Sequence, residues 1–202
     1  MIRSISFLIG LMLYTSSHAE LTFNELASLT KTPDYLQGWF KQEKYLKSID
    51  ISLSSSGQFF YQRDESIHWE ILEPVQNVLL MTPSSMVNKQ GETELARVNA
   101  SENPTVAMIS NIFFSVLTAD WQAVEKYFKV SGEVNDSGWD VELTPIDDTL
   151  SQVMTRIILV GDDFLRSIVM YEKGGNQTTI KFSELEVLQG KVFSKMEEQD
   201  RR

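Results

Sequence analysis

A chain of 202 residues with 28 acidic and 18 basic side chains, formal net charge −10, repels phosphate; that excludes nucleic acid as a partner and makes an anionic membrane surface a poor docking place. At 42% apolar and 10% aromatic residues it buries a full core as one domain. Cysteine is absent, which excludes disulfides, an acylated N-terminal cysteine and any thiol nucleophile or thiolate metal site.

The chain opens with Arg3, an apolar run from Ile5 to Tyr14, and small residues at Ser17 and Ala19. This is the pattern of a secretory leader, too short to span a bilayer comfortably, and it predicts cleavage between Ala19 and Glu20. The mature protein is then a single domain over residues 20–202, exported and soluble, with a charged, frayed tail at 195–202. Thr22 and Glu25 form a capping box for a helix over 22–30, with Phe23, Leu26 and Leu29 on its apolar stripe and Pro33 and Gly38 closing it. Tyr45, Ile49, Ile51 and Leu53 keep one parity and read as a strand, and Gly57 marks the bend into the next, "QFFYQR". Ile67, Trp69 and Ile71 give a third strand ending at Pro74, and Asn77 to Thr82 a fourth. Short polar turns between consecutive strands favour an antiparallel meander.

Residues 84–100 are polar and yield no element. Asn103 and Pro104 start a helix to about 118, carrying Val106, Ile109, Ile112, Phe113, Val116 and Leu117, with Met108 and Phe114 broadening the stripe. Asp120 caps a short helix through Trp121 and Val124. The remainder reads as strands that turn at Asn135–Gly138, Gly161–Asp163 and Lys173–Asn176. The expected fold is therefore mainly β (α+β), with about 8–11 antiparallel strands and two or three helices.

Catalytic parts are scarce. His68 is the one histidine past the leader, and its parity sets it opposite Ile67 and Trp69. The acid pairs Asp147-Asp148 and Asp162-Asp163 stand in turn contexts, and there is no Gly-x-Ser-x-Gly elbow or phosphate loop. The chain is thus read as a non-enzyme with no cofactor and no metal. Its apolar residues are in surplus, and the helix from Pro104 serves either as ordinary core packing or as a lid on an apolar cavity.

Gly57, Arg63, Trp69 and Pro74, with Phe40-x-Gln42 upstream and "GGNQTTIKFSELEVLQGKVF" near the end, resemble the LolA family of periplasmic lipoprotein carriers. Asp64 departs from that family's usual proline, and "TPSSMVNKQGE" replaces its Gly-x-x-Leu-Trp strand. The resemblance implies an incomplete, strongly curved antiparallel barrel whose open side is covered by helices. It also implies a monomeric periplasmic protein that takes acyl chains of a lipoprotein or lipid from an inner-membrane transporter and hands them to an outer-membrane acceptor. Arg63 matches the family's arginine that latches the helical cover; on residues alone the favoured reading is instead a surface partner of Asp64 or Glu65. Strand alternation assigns the cavity wall to Trp39, Phe59, Tyr61, Trp69, Ile71 and Phe182, with Ile109 and Phe113 facing it from the helix. The alternative role is a periplasmic lipid- or protein-sensing regulatory domain of the same fold.

Overall fold

In α1 (Phe23–Leu29) the capping box closes as the sequence predicts. The Glu25 N–H donates to the Thr22 hydroxyl at 3.2 Å, and the Thr22 N–H donates to the Glu25 carboxylate at 2.8 Å. Two helix-start donors are satisfied at once, and the Thr22 backbone bond holds the Glu25 carboxyl below its ordinary value. The computed structural model of the protein describes residues 21–99, 101–102 and 104–189. The expected leader, its Ala19–Glu20 cleavage site and the tail at 195–202 lie outside the described residues.

From α1 the chain crosses residues 30–34 into β1 (Tyr35–Leu46), which pairs along its whole length with β2 (Ile51–Gln62), from Tyr35↔Gln62 to Leu46↔Ile51. The strand expected through Tyr45 and Leu53 is thus two strands and a turn. Asp50 makes that turn at φ 54, a left-handed conformation that aspartate tolerates, and its carboxylate accepts the Tyr45 hydroxyl at 2.8 Å. Gly57 is not a bend but sits within β2, where a Cβ would fall 1.8 Å from the Glu70 carbonyl oxygen. Its lack of a side chain admits the close approach of β3 (Ser66–Glu73).

β4 (Asn77–Thr82), β5 (Ser85–Gln90) and β6 (Thr93–Asn99) continue the meander. The polar stretch without a predicted element is therefore a hairpin, turned at Gly91 with φ 58, and it is polar because most of β6 faces solvent. α2 (Pro104–Leu117) and α3 (Trp121–Glu125) follow, then β7 (Phe128–Asn135) and β8 (Gly138–Pro145). The Asp147-Asp148 pair is not a bare turn. The Asp147 carboxylate accepts the N–H groups of Thr149 and Leu150 and caps α4 (Asp148–Val153), which buries Leu150. β9 (Met154–Gly161), β10 (Leu165–Glu172) and β11 (Gln177–Val187) complete the described strands, and β11 returns to pair with β1.

The result is one antiparallel sheet of 11 strands in the order β6-β5-β4-β3-β2-β1-β11-β10-β9-β8-β7. Among the described residues β6 and β7 stand at its two ends without joining, so the barrel is incomplete, with α1, α2 and α3 packed into its concave face. One residue in two along each strand points there. On β8–β10 these include Trp139, Val141, Leu143, Ile157, Leu159 and Ile168, all buried. Each such side chain contributes about 1.5–3 kcal/mol on burial.

Candidate functional site: an aromatic cluster beneath a helical cover

On the other half of the concave face aromatic rings cluster at the inward positions, among the aliphatic Leu36, Ile67 and Ile180. Phe40 from β1, Phe59 from β2, Trp69 from β3 and Phe182 from β11 are all buried. Phe40 stacks on Trp69 with ring centroids 3.8 Å apart. Phe182 meets Phe59 edge-on at 5.4 Å and Trp69 at 6.0 Å. Glycines stand across the strands from two of these rings, Gly57 opposite Phe40 and Gly38 opposite Phe59. A Cβ on Gly38 would come within 3.0 Å of the Phe59 ring and 2.5 Å of Leu185. From above, α2 sets Phe113 edge-on to Trp69 at 5.7 Å. Each aromatic pair adds about 0.5–1.5 kcal/mol beyond the area it buries.

Of the residues assigned to this wall, the structure brings together Phe59, Tyr61, Trp69, Phe113 and Phe182, with Ile71 partly buried against them. Trp39 is a correction. It lies on the convex face, 44% exposed, and Phe40 takes the inward place. Parity could not decide between them, because Lys41 and Glu43 follow on one face and Lys44 on the other; the burial of Leu36 and Gly38 in phase with Phe40 decides it. Ile109 is also corrected. It precedes Ile112 and Phe113 by one turn, but the neighbouring Ser110 is the buried residue there and Ile109 is left 39% exposed.

Arg63 makes neither expected contact. Its backbone N–H donates to the Asp34 carbonyl at 2.8 Å, its Nε donates to the Pro33 carbonyl at 3.4 Å, and the Asp34 carboxylate lies 3.6 Å away. The Tyr61 hydroxyl donates to the same Pro33 carbonyl at 3.1 Å. Burial pushes the Tyr61 phenol far above its ordinary value, so it remains a neutral donor. Arg63 therefore holds the connection between α1 and β1 rather than the cover itself.

That connection ties several elements together. The Thr30 hydroxyl accepts the indole N–H of Trp121 at 2.8 Å, linking it to α3. The Lys31 N–H donates to the Asp163 carbonyl at 2.7 Å, and its ammonium pairs with the Asp163 carboxylate, linking it to the β9–β10 turn. Trp121 in turn meets Trp139 edge-on at 5.9 Å, and the Trp139 indole N–H donates to the Asp162 carbonyl at 2.7 Å. A Cβ on Gly161 would lie 2.2 Å from the Trp139 ring, so glycine is what lets that indole lie flat on the strand. Residues 30–34 thus act as a strap across β2, α3 and the β9–β10 turn.

α2 is anchored at one end. Ser115, Val116, Leu117 and Thr118 are buried, whereas Ile109 and Asn111 are exposed and Ala107 and Met108 half-buried. Its C-terminus closes as a Schellman motif, with the Asp120 N–H donating to the Ser115 carbonyl at 2.8 Å and Ala119 left-handed at φ 55. Between this anchored end, the strap and the sheet lies a cavity of about 20 Å³, lined by Leu36, Phe59, Tyr61, Val116, Trp121 and Leu185 among others. That volume holds about one water molecule and no acyl chain. The cluster's aromatic and aliphatic groups form an apolar surface beneath α2.

The chain is similar to several solved structures at low sequence identity. A LolA superfamily protein, NE2245, from Nitrosomonas europaea is 13% identical, with 85% of this chain covering 94% of that one at a TM-score of 0.44. A DUF1329 family protein from Desulfovibrio piger is 12% identical, with 83% of this chain covering 91% of that one at 0.45. The MucA/MucB complex of Pseudomonas aeruginosa contains a chain 13% identical, with 84% of this chain covering 58% of that one at 0.48. No curated protein matches the chain in sequence. Residues 31–195 match the family described as outer membrane lipoprotein carrier protein LolA, and the chain belongs to that family.

Proposed function

We propose that the protein is a periplasmic carrier that binds the acyl chains of a lipoprotein or lipid against the aromatic cluster and ferries them from an inner-membrane donor to an outer-membrane acceptor. The observation that carries this reading is the cover over Trp69. α2 is anchored at its C-terminal end, while Ala107 and Met108 are half-buried and Ile109 exposed, over aromatic faces that can part from Phe113 and re-form against a guest. Each methylene that enters gains about 0.8 kcal/mol, so six or eight offset the few aromatic contacts that must open. Arg63 and Tyr61 fix the strap and thereby the anchored end, so their role is to keep the cover in register rather than to touch cargo.

The small closed cavity favours a second reading, a sensing or regulatory domain that uses the same concave face to recognise a lipid or protein signal. Native mass spectrometry of the gently purified protein, followed by titration of the delipidated protein with a fluorescent palmitoyl probe, separates the two. The carrier reading predicts a co-purified acyl mass and saturable uptake of the probe. Persistent failure of both establishes the regulatory reading in its place.

A further inference from the structure

β1 and β2 are 12 residues long, but β3 has only 8. β3 leaves the sheet at Glu73, whose last partner is Ser56, so Ile51–Ser55 are paired with β1 on one side and, among the described residues, with no strand on the other. Alternate residues of this stretch therefore point their backbone N–H and carbonyl groups outward, in line with the path β3 would have continued. Ile51 and Leu53 share the concave face with Phe40 and Gly57 and are 47% and 54% exposed. Ile49 at the turn and Val75 just past β3 flank them, both 59% exposed.

The two terminal edges of the sheet differ from this one. β6 carries the Glu94–Arg97 ion pair, and β7 carries Lys129 and Glu133. Charged side chains on an edge strand discourage pairing with another chain. The Ile-Ser-Leu-Ser-Ser edge bears no charge, in a chain where 23% of residues are charged. We propose that Ile51–Ser55 is a strand-addition site for an extended polypeptide segment of a partner protein, with apolar side chains at alternate positions that lie beside Leu53, Ile51 and Ile71. A row of backbone donors and acceptors is satisfied by another backbone, which a lipid surface does not offer, and the apolar side chains on one face set the register. This site stands apart from the acyl-carrier reading and does not depend on it.

The test uses the intact protein and an octapeptide that alternates valine with threonine between lysine ends. Its control is the same peptide with alternate backbone amides methylated. Amide hydrogen exchange should slow by roughly tenfold or more within Ile51–Ser55 on adding the first peptide and stay unchanged with the second. Leu53→Lys should weaken binding by about tenfold, given the apolar area lost, while the unfolding midpoint stays put because Leu53 is exposed. The proposal is overturned by absence of protection there, by equal protection from the methylated peptide, by protection moved to β6, or by the same protection from phosphatidylethanolamine–phosphatidylglycerol vesicles alone.

Discussion

The two halves of the concave face are made of different materials. On β8–β10, the aliphatic Val141, Leu143, Ile157, Leu159 and Ile168 stand with a single ring, Trp139, all between 0% and 3% exposed, and Leu150 of α4 closes against the core at 0%. On β1–β3 and β11, the rings of Phe40, Phe59, Trp69 and Phe182 gather among Leu36, Ile67 and Ile180, and Trp69 meets Phe113 of α2 edge-on. Branched chains locked in a dense core lose many contacts when anything shifts. Ring faces lose a few well-defined contacts and offer the exposed surface to a guest. On the proposed carrier reading, one half is scaffold and the other is the surface that opens.

Truncation in the scaffold should give the largest effects. Leu159→Ala is expected to cost about 2–5 kcal/mol, and Trp139→Ala about 3–5 kcal/mol, measured by urea denaturation. Phe113→Ala, half-buried, should cost about 1–2 kcal/mol and speed uptake of an acyl probe, since it removes the contact that keeps the cover on Trp69. An equal loss of stability for Leu159→Ala and Phe113→Ala would erase the distinction between the halves.

The strap should rank next. Trp121→Phe keeps the ring but loses the bond to Thr30, at about 1–2 kcal/mol, and should loosen α2 and α3 together. Tyr61→Phe should cost about 1 kcal/mol through its bond to Pro33. Arg63→Leu should cost about 1 kcal/mol or less, because its pair with Asp34 is long and partly solvated. Both variants should fold, and their uptake and release of probe should change by less than those of Phe113→Ala. A larger change in probe kinetics for Arg63→Leu than for Phe113→Ala would restore the arginine as the latch.

The smallest expected effect is acid dependence at the β9–β10 turn. Burial raises the Asp162 carboxyl, but the Phe164 N–H and the Arg166 guanidinium outweigh it and leave the group below its ordinary value. A lowered carboxyl contributes stability that is present above its unfolded value near pH 4 and is lost as pH falls through the folded one. Asp162→Asn should flatten the acid limb of the stability profile by a few tenths of a kcal/mol, this pair being partly exposed. An unchanged acid limb would remove Asp162 from the turn's support.

Much of this was legible in the sequence where a local device has one solution. The Thr22–Glu25 capping box, the Asp120 cap, the strand at Asn77–Thr82 and the Asn135–Gly138 turn form as their residues dictate. Reading failed where two solutions share a pattern. The alternation from Tyr45 to Leu53 fits one strand or a hairpin, and only the register across to Ile51 selects the hairpin. Trp39 and Phe40 are adjacent rings with charges following on both faces, so inward and outward were not separable. The strap was invisible because Pro33, Thr30 and Trp121 are joined by backbone and indole bonds across nearly the whole first half of the chain, which no spacing encodes.

Amide hydrogen exchange of the delipidated protein, with and without a palmitoyl probe, tests the opening of the aromatic half most directly. The account predicts that exchange changes in α2 from Met108 to Phe114 and in β3 around Trp69. The amides of β8, β9 and β10 should keep their protection throughout. Unchanged exchange in α2 at saturating probe, or loss of protection spread equally over β8–β10, would contradict it.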